Sequence, residues 1–358
     1  MLRAFPPYTM SKRSRESDDA SPPVIDDAAE WEARRAKSLA GKSLGYFAFY
    51  SSATDAITTN VSLMDVPIDD HAIVRGHAVF DTCMLCGGKT YRLGIHLDRL
   101  FASAKKARLP LPFGEDESAN RLRMTAIIKA TCKASRQENC DVRYWLTGGT
   151  GNLGVTPNGC TPGFYVLTFG GLPMPPSWQT DGIAEASVPS SLVPLKPPYL
   201  AELKSNNYML NALTMLAAKD RGGTFGIGVD GEGFILESCV LNVVVIGKDK
   251  VLRTPPFSHL LRGCTVRKGM ELAEAHLVTP GALLAGVSQE KIKLTQCYDA
   301  LEVFLLAGDT HAYSCVSLDG QKLGDGKPGP VFKALKALLE ADAKKGEGPD
   351  HEAVPGLS

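Results

Sequence analysis

The chain has 358 residues, and its 39 Lys plus Arg balance its 39 Asp plus Glu, for a formal net charge of zero. That length suits about two domains of ~100–200 residues each, and the balance excludes the basic field that nucleic acid or an anionic membrane would require. No apolar run approaches the ~18 residues of a membrane span, and the nine cysteines sit mostly in apolar runs, so a soluble protein of a reducing compartment is expected, with no membrane or nucleic-acid partner.

Residues 1–45 read as a polar N-terminal extension, partly disordered, with a charged helical stretch over 26–38. Its early Lys12, Arg13 and Arg15 are followed by Asp18, Asp19, Asp26 and Asp27. Transit peptides are poor in acids, so the cytoplasm is the expected location. From Tyr46, short strands are predicted at 46–50, 61–66, 77–85 and 89–93. A helix over 95–107 follows from Leu97, Leu100, Phe101 and Ala104 at i, i+3, i+4 and i+7. A second helix at 118–135 and strands at 142–147 and 164–169 complete a small domain, residues 46–169.

The stretch Gly170-Gly-Leu-Pro-Met-Pro-Pro176 has no periodicity and many turn formers, which makes 170–180 the interdomain linker. A larger domain is predicted over 181–345. It holds a helix at 206–219, alternating Phe225, Ile227 and Val229, a turn at Asp230-Gly-Glu-Gly233, strands at 234–236 and 240–246, and a helix at 266–275. Residues 346–358 read as a flexible tail.

Two short patterns fail on context. Gly149-Thr-Gly151-Asn-Leu-Gly154 has dinucleotide-fingerprint spacing, but a helix must follow to receive the pyrophosphate, and Pro157, Gly159, Pro162 and Gly163 forbid one. Cys83-Met-Leu-Cys86 has no matching second pair, and His71 and His77 are as well explained as structural hydrogen-bonding groups. No metal site is predicted.

One constellation carries chemistry. Lys204, in Lys204-Ser-Asn-Asn-Tyr208, precedes a helix; alone it would be an ordinary surface lysine. Its company is Asp70-His-Ala-Ile-Val-Arg-Gly-His-Ala-Val-Phe-Asp81, His96-Leu-Asp-Arg-Leu-Phe-Ala-Ser103, Glu237-Ser-Cys-Val-Leu-Asn242, and Thr254-Pro-Pro-Phe257 followed by Leu261-Arg-Gly-Cys-Thr265. In order and spacing these blocks resemble the fold-type IV (class IV) pyridoxal-phosphate-dependent aminotransferases over residues 61–339. The opening blocks are most similar to plant-type D-amino acid aminotransferase and aminodeoxychorismate lyase-like members.

The resemblance implies an α+β, two-domain enzyme with a smaller N-terminal α/β domain and a larger C-terminal β-barrel-like domain with helices. It also implies pyridoxal 5'-phosphate as cofactor, small-molecule amino acid and 2-oxo acid substrates, and a homodimer. The expected activity is amino-group transfer, D-amino acids preferred; the alternatives are pyruvate elimination from 4-amino-4-deoxychorismate and branched-chain amino acid transamination. Lys204 would be the Schiff-base lysine and the catalytic base, Glu237 the partner of the ring nitrogen, and Tyr208 that of the phenolic oxygen. Arg99, Leu261, Gly263, Cys264, Thr265 and Thr310 would hold the cofactor, and Arg75, Phe80 and Arg143 the substrate.

Chemistry supports several of these roles independently. A Schiff-base lysine needs a depressed pKa. Glu237 lies between apolar runs where an unpaired acid is costly. Gly263 to Thr265 open a helix whose free amides favour an anion. Arg99 lies off the apolar stripe of its helix, and helix geometry alone makes it a solvated arginine. The chain departs from the family pattern at Ser238, where glycine is common, and at Asp309, whose charge would repel a phosphate.

Overall fold

The computed structural model describes residues 21–40, 45–171, 174–279, 281, 283–308 and 311–357. They fall in two units, residues 1–42 and 43–358. In the first, the helix Ala28–Leu39 is capped by Asp27, which accepts the Glu30 amide at 2.7 Å, and none of its residues is buried.

The second unit holds three sheets. One runs His351–Ala353, Lys89–Tyr91, Ala78–Cys86, Cys140–Thr150, Thr161–Phe169, Tyr46–Ser51 and Ala56–Thr58, antiparallel throughout. The helices Leu93–Lys106 and Glu117–Ser135 pack on it through the apolar stripe seen in the sequence, burying Leu97, Leu100, Phe101, Met124 and Ile128 against Val79, Tyr144 and Phe164. Residues 61–66 do not make the expected strand. Asn60 accepts the Ser62 amide and turns the chain into a 3-10 helix, Val61–Leu63.

The second sheet orders Gly286–Gln289, Val251–Thr254, Asn242–Ile246, Glu302–Leu306 and Ala312–Leu318, with Gln321–Lys322 and Ile183–Glu185 both pairing with the last of these. The helices Cys264–Leu277 and Pro330–Lys344 share a core with it at Val244, Val266, Phe304, Phe332 and Leu335. A three-stranded sheet of Ile235–Ser238, Ile227–Val229 and Ser187–Pro189 completes the unit. The α+β expectation holds, with sheets and helices mixed in one unit, and no sheet of the described residues closes on itself. The Ser238 amide bonds back to the Leu241 carbonyl at 2.8 Å, so the chain turns from the small sheet into the large one.

Two further differences bear on the site. The helix expected from residue 206 begins at Met209, because the Asn206 amide is given to the Ala78 carbonyl at 3.0 Å. Residues 351–353, within the expected flexible tail, pair with Lys89–Tyr91, and Val354 is fully buried in the first core. Among the described residues no helix is long and apolar enough to cross a membrane.

Candidate active site

Lys204 is fixed through its backbone. Its carbonyl accepts the Phe80 amide at 2.9 Å, Ser205 bridges Val79, and the Lys204 amide reaches Ser103 Oγ at 3.3 Å. This pins the segment between Ala78–Cys86 and the Leu93–Lys106 helix. The Lys204 ammonium sits 4.8 Å from the Phe80 ring centre. Burial first, then the charges of Arg99 and Arg143, push its pKa down to about 8. At that value roughly a tenth of the amines are unprotonated at pH 7, against about one in three thousand for an ordinary lysine.

Phe80 is the common wall of the site. Its ring lies 5.3 Å from that of Tyr208 and 5.4 Å from the Arg143 guanidinium. Arg143 is aimed by register: it sits opposite Thr82, and its Nε donates to Thr82 Oγ1 at 3.0 Å. Glu237 stands on Ile235–Ser238 and accepts the Leu261 amide at 3.2 Å. Burial raises its pKa to about 7, against the opposing pull of Lys196, that amide and Lys204. Lys196, which the motif reading did not single out, lies 5.0 Å from the Tyr208 ring centre and lines a cavity with Glu237, Asn211 and Ser238.

Arg99 is not the solvated arginine of the helical wheel. Its side chain is 13 % exposed, and its Nε and Nη2 donate to the two oxygens of fully buried Asp81, each at 2.7 Å. His96 Nδ1 lies 2.9 Å from the same carboxylate. Burial alone would raise Asp81, but Arg99 and His96 hold it well below the usual carboxylate range. The side edge of the guanidinium fork is thus committed, and Nη1 reaches the Arg262 carbonyl at 3.3 Å. Nη2 also lies 3.4 Å from His96 Nδ1, and one N–H of Nη1 remains for a ligand. Arg99, Cys264 and Ser103 line a cavity of about 370 Å³.

The helix Cys264–Leu277 brings its N-terminus here. Its cap, Gly263, provides no side chain, and a Cβ there would meet Asn242 Oδ1 at 1.9 Å, so only glycine fits. Asn242 in turn donates to the Leu261 carbonyl at 3.1 Å, and Arg92 Nη1 to the Cys264 carbonyl at 2.9 Å. The first helical turn therefore starts without a side-chain cap, and Cys264 lines the same cavity as Arg99.

Not every expected residue converges. Arg75 is exposed and donates to the carbonyls of Leu153 and Gly154, in the loop that carries the rejected glycine pattern. Thr265 lines a small separate cavity with Tyr91, Arg92 and Lys268. Asp309 and Thr310 lie outside the described residues. Asp81 and His96 lie in the sequence blocks 70–81 and 96–103, but nothing in periodicity marks a buried ion pair between a strand and a helix.

The amino-transferase class IV family model matches residues 78–317. The chain belongs to the class IV aminotransferases. It is 34 % identical to the chloroplastic D-amino-acid transaminase of Arabidopsis thaliana over 329 residues, 91 % of this chain and 84 % of that one. Its fold is similar to the Escherichia coli branched-chain amino acid aminotransferase, with a TM-score of 0.74, 23 % identity and coverage of 86 % of this chain and 99 % of that one. A second branched-chain amino acid aminotransferase, solved in complex with N-(5'-phosphopyridoxyl)-L-glutamate, gives a TM-score of 0.71 at 20 % identity over 87 % of this chain and 100 % of that one.

The donor set of this class IV aminotransferase suits pyridoxal phosphate. Tyr144 Oη, Asn206 Oδ1, Asn211 Oδ1 and Ser238 Oγ are buried without a hydrogen-bond partner, and two of these residues line the Glu237 cavity. Buried polar atoms are normally satisfied, and at Asn211 and Ser238 a polar ligand in that cavity would supply the missing partner.

Proposed function

We propose that the chain transfers an amino group between an amino acid, D-amino acids preferred, and a 2-oxo acid, using pyridoxal phosphate held at Lys204. The carrying observation is the Lys204 amine, pushed down to about 8 between Phe80 and the Arg99 and Arg143 charges, with Glu237 within electrostatic reach. When bound, the cofactor supplies a ring that withdraws electrons from the substrate Cα. Lys204 Nζ takes the proton from that carbon and returns it on the other side of the exchange.

Glu237 would face the ring nitrogen. A carboxyl raised by burial regains its charge when a cationic partner arrives, and that proton in turn keeps the ring electron-poor. Arg99 and the Cys264–Leu277 helix start hold the phosphate through the outer fork edge and free amides. Tyr208 would meet the phenolic oxygen. Arg143, over Phe80, meets a substrate carboxylate. The D-amino acid preference is supported by the likeness to the Arabidopsis transaminase. We further propose a homodimer, supported by exposed Ile68, Ile73, Leu153 and Val155 on the segments that Arg75 ties together.

The test offers D-alanine, L-leucine and aminodeoxychorismate separately to purified protein, with keto acid and 4-aminobenzoate as readouts. D-alanine is expected to react fastest, and Lys204→Ala to lose on the order of 10²–10⁴-fold or more. Formation of 4-aminobenzoate without amino transfer would sink the reading.

A further inference from the structure

Arg262 and Arg267 have no part in the contacts that build the site, apart from the Arg262 carbonyl. Both side chains are exposed, and both line the Arg99 cavity. Both also line an adjoining cavity of about 690 Å³ with Phe257, Ser258 and Gln289. The two guanidiniums therefore stand where the outer space meets the inner one.

Their charges are left over. On the inner cavity Arg99 is paired with Asp81, Lys106 with Glu202 and Asp98 with Arg121. Among the described residues neither Arg262 nor Arg267 forms an ion pair. Glu202 feels Arg262 only after its own partner Lys106, and Glu271 lines the outer cavity beside both arginines. With the other charges paired, the two arginines leave the inner cavity an excess of positive charge.

Their placement also works against the fold. Arg267 lies in the first turns of Cys264–Leu277, and Arg262 directly precedes the Gly263 cap. The partial positive charge of a helix N-terminus repels cations there. An anion between the two arginines would reverse the sign of that interaction.

We propose that Arg262 and Arg267 are a capture site for the phosphate dianion of pyridoxal phosphate, setting how fast the empty protein takes up its cofactor. The inference rests on the reading of Arg99 and the neighbouring helix start as the phosphate anchor. A cleft with an excess of one sign of charge focuses its field outward and raises association rates, an effect that salt screens. Arg99, locked to Asp81, retains the bound phosphate; the exposed pair acts before it.

The test strips cofactor from wild type, Arg262→Gln, Arg267→Gln and the double variant. Uptake of pyridoxal phosphate is then followed by absorbance at low and at physiological ionic strength, with pyridoxal, which lacks the phosphate, in parallel. The double variant should take up pyridoxal phosphate about tenfold more slowly at low salt and lose most of the salt dependence. Its release rate and its uptake of pyridoxal should be unchanged.

Unchanged uptake of pyridoxal phosphate, or equal slowing with pyridoxal, overturns the proposal. So does a raised KM for a dicarboxylic amino donor with normal cofactor uptake, which assigns the pair to substrate. The double variant should melt no lower than wild type, and a lower melting point would mean that the pair serves the fold. Failure of wild type itself to take up pyridoxal phosphate is a separate result, because it removes the parent reading as well.

Discussion

A lysine amine held near 8 titrates where it can be watched. Uptake of pyridoxal phosphate by the empty protein should rise with pH through about 8, as the attacking amine loses its proton. Arg143 is one of the cations that disfavour the protonated amine, so Arg143→Gln should move the midpoint upward and slow uptake at pH 7. A pH series of uptake rates checks both. Asp81 gives the opposite sign. Its depressed pKa contributes stability present above the unfolded value and lost only as pH falls below it. Asp81→Asn leaves Arg99 buried against no charge and should cost about 3–5 kcal/mol, read by denaturant melts. Several spaced blocks offered Lys204, Tyr208 and Glu237 as candidates, and the fold brings Lys204 and Tyr208 to the Phe80 ring, with Glu237 in electrostatic reach of Lys204. Asp81, His96 and Lys196 were not legible, since a partner reached through tertiary folding leaves no period in the sequence.

At the scale of elements, the helix starts decide the site's shape. Gly263→Ala forces a Cβ into Asn242 Oδ1 and must break the bond from Asn242 to the Leu261 carbonyl. Cofactor affinity should fall by about tenfold, a loss of ~1.4 kcal/mol. Adding Asn242→Ala should recover part of it, since space rather than chemistry is at fault, and equilibrium titration of the two variants checks this. The apolar stripe of Leu93–Lys106 was readable, and its core is the one the stripe implied. The start at Met209 was not, because the asparagines that look like caps are spent on the strand Ala78–Cys86. The open sheets were equally hidden, because closure depends on which edges meet rather than on how apolar each strand is.

The whole second unit is tied together near Arg92. This residue adopts a left-handed φ of 56°, is 6 % exposed, takes the Asp350 carbonyl on its amide at 2.6 Å, and bonds the Cys264 carbonyl with its side chain. Removing residues 350–357 should therefore loosen the cofactor anchor as well as the sheet. Both a lower melting temperature and weaker pyridoxal phosphate binding are expected. Val354→Ala alone, leaving Asp350 in place, should cost about 2 kcal/mol with little change in binding. Polar composition made this stretch look like a tail, and only the partner strand explains its order.

That pairing joins Thr90 to Glu352 across 262 residues. At about 5–20 residues per second on the ribosome, the outer edge of Lys89–Tyr91 waits roughly 13–50 s for its neighbour. A bare strand edge is a template for foreign pairing throughout that interval. A nascent chain stalled before residue 351 should thus be more aggregation-prone than the complete one, and more dependent on chaperones.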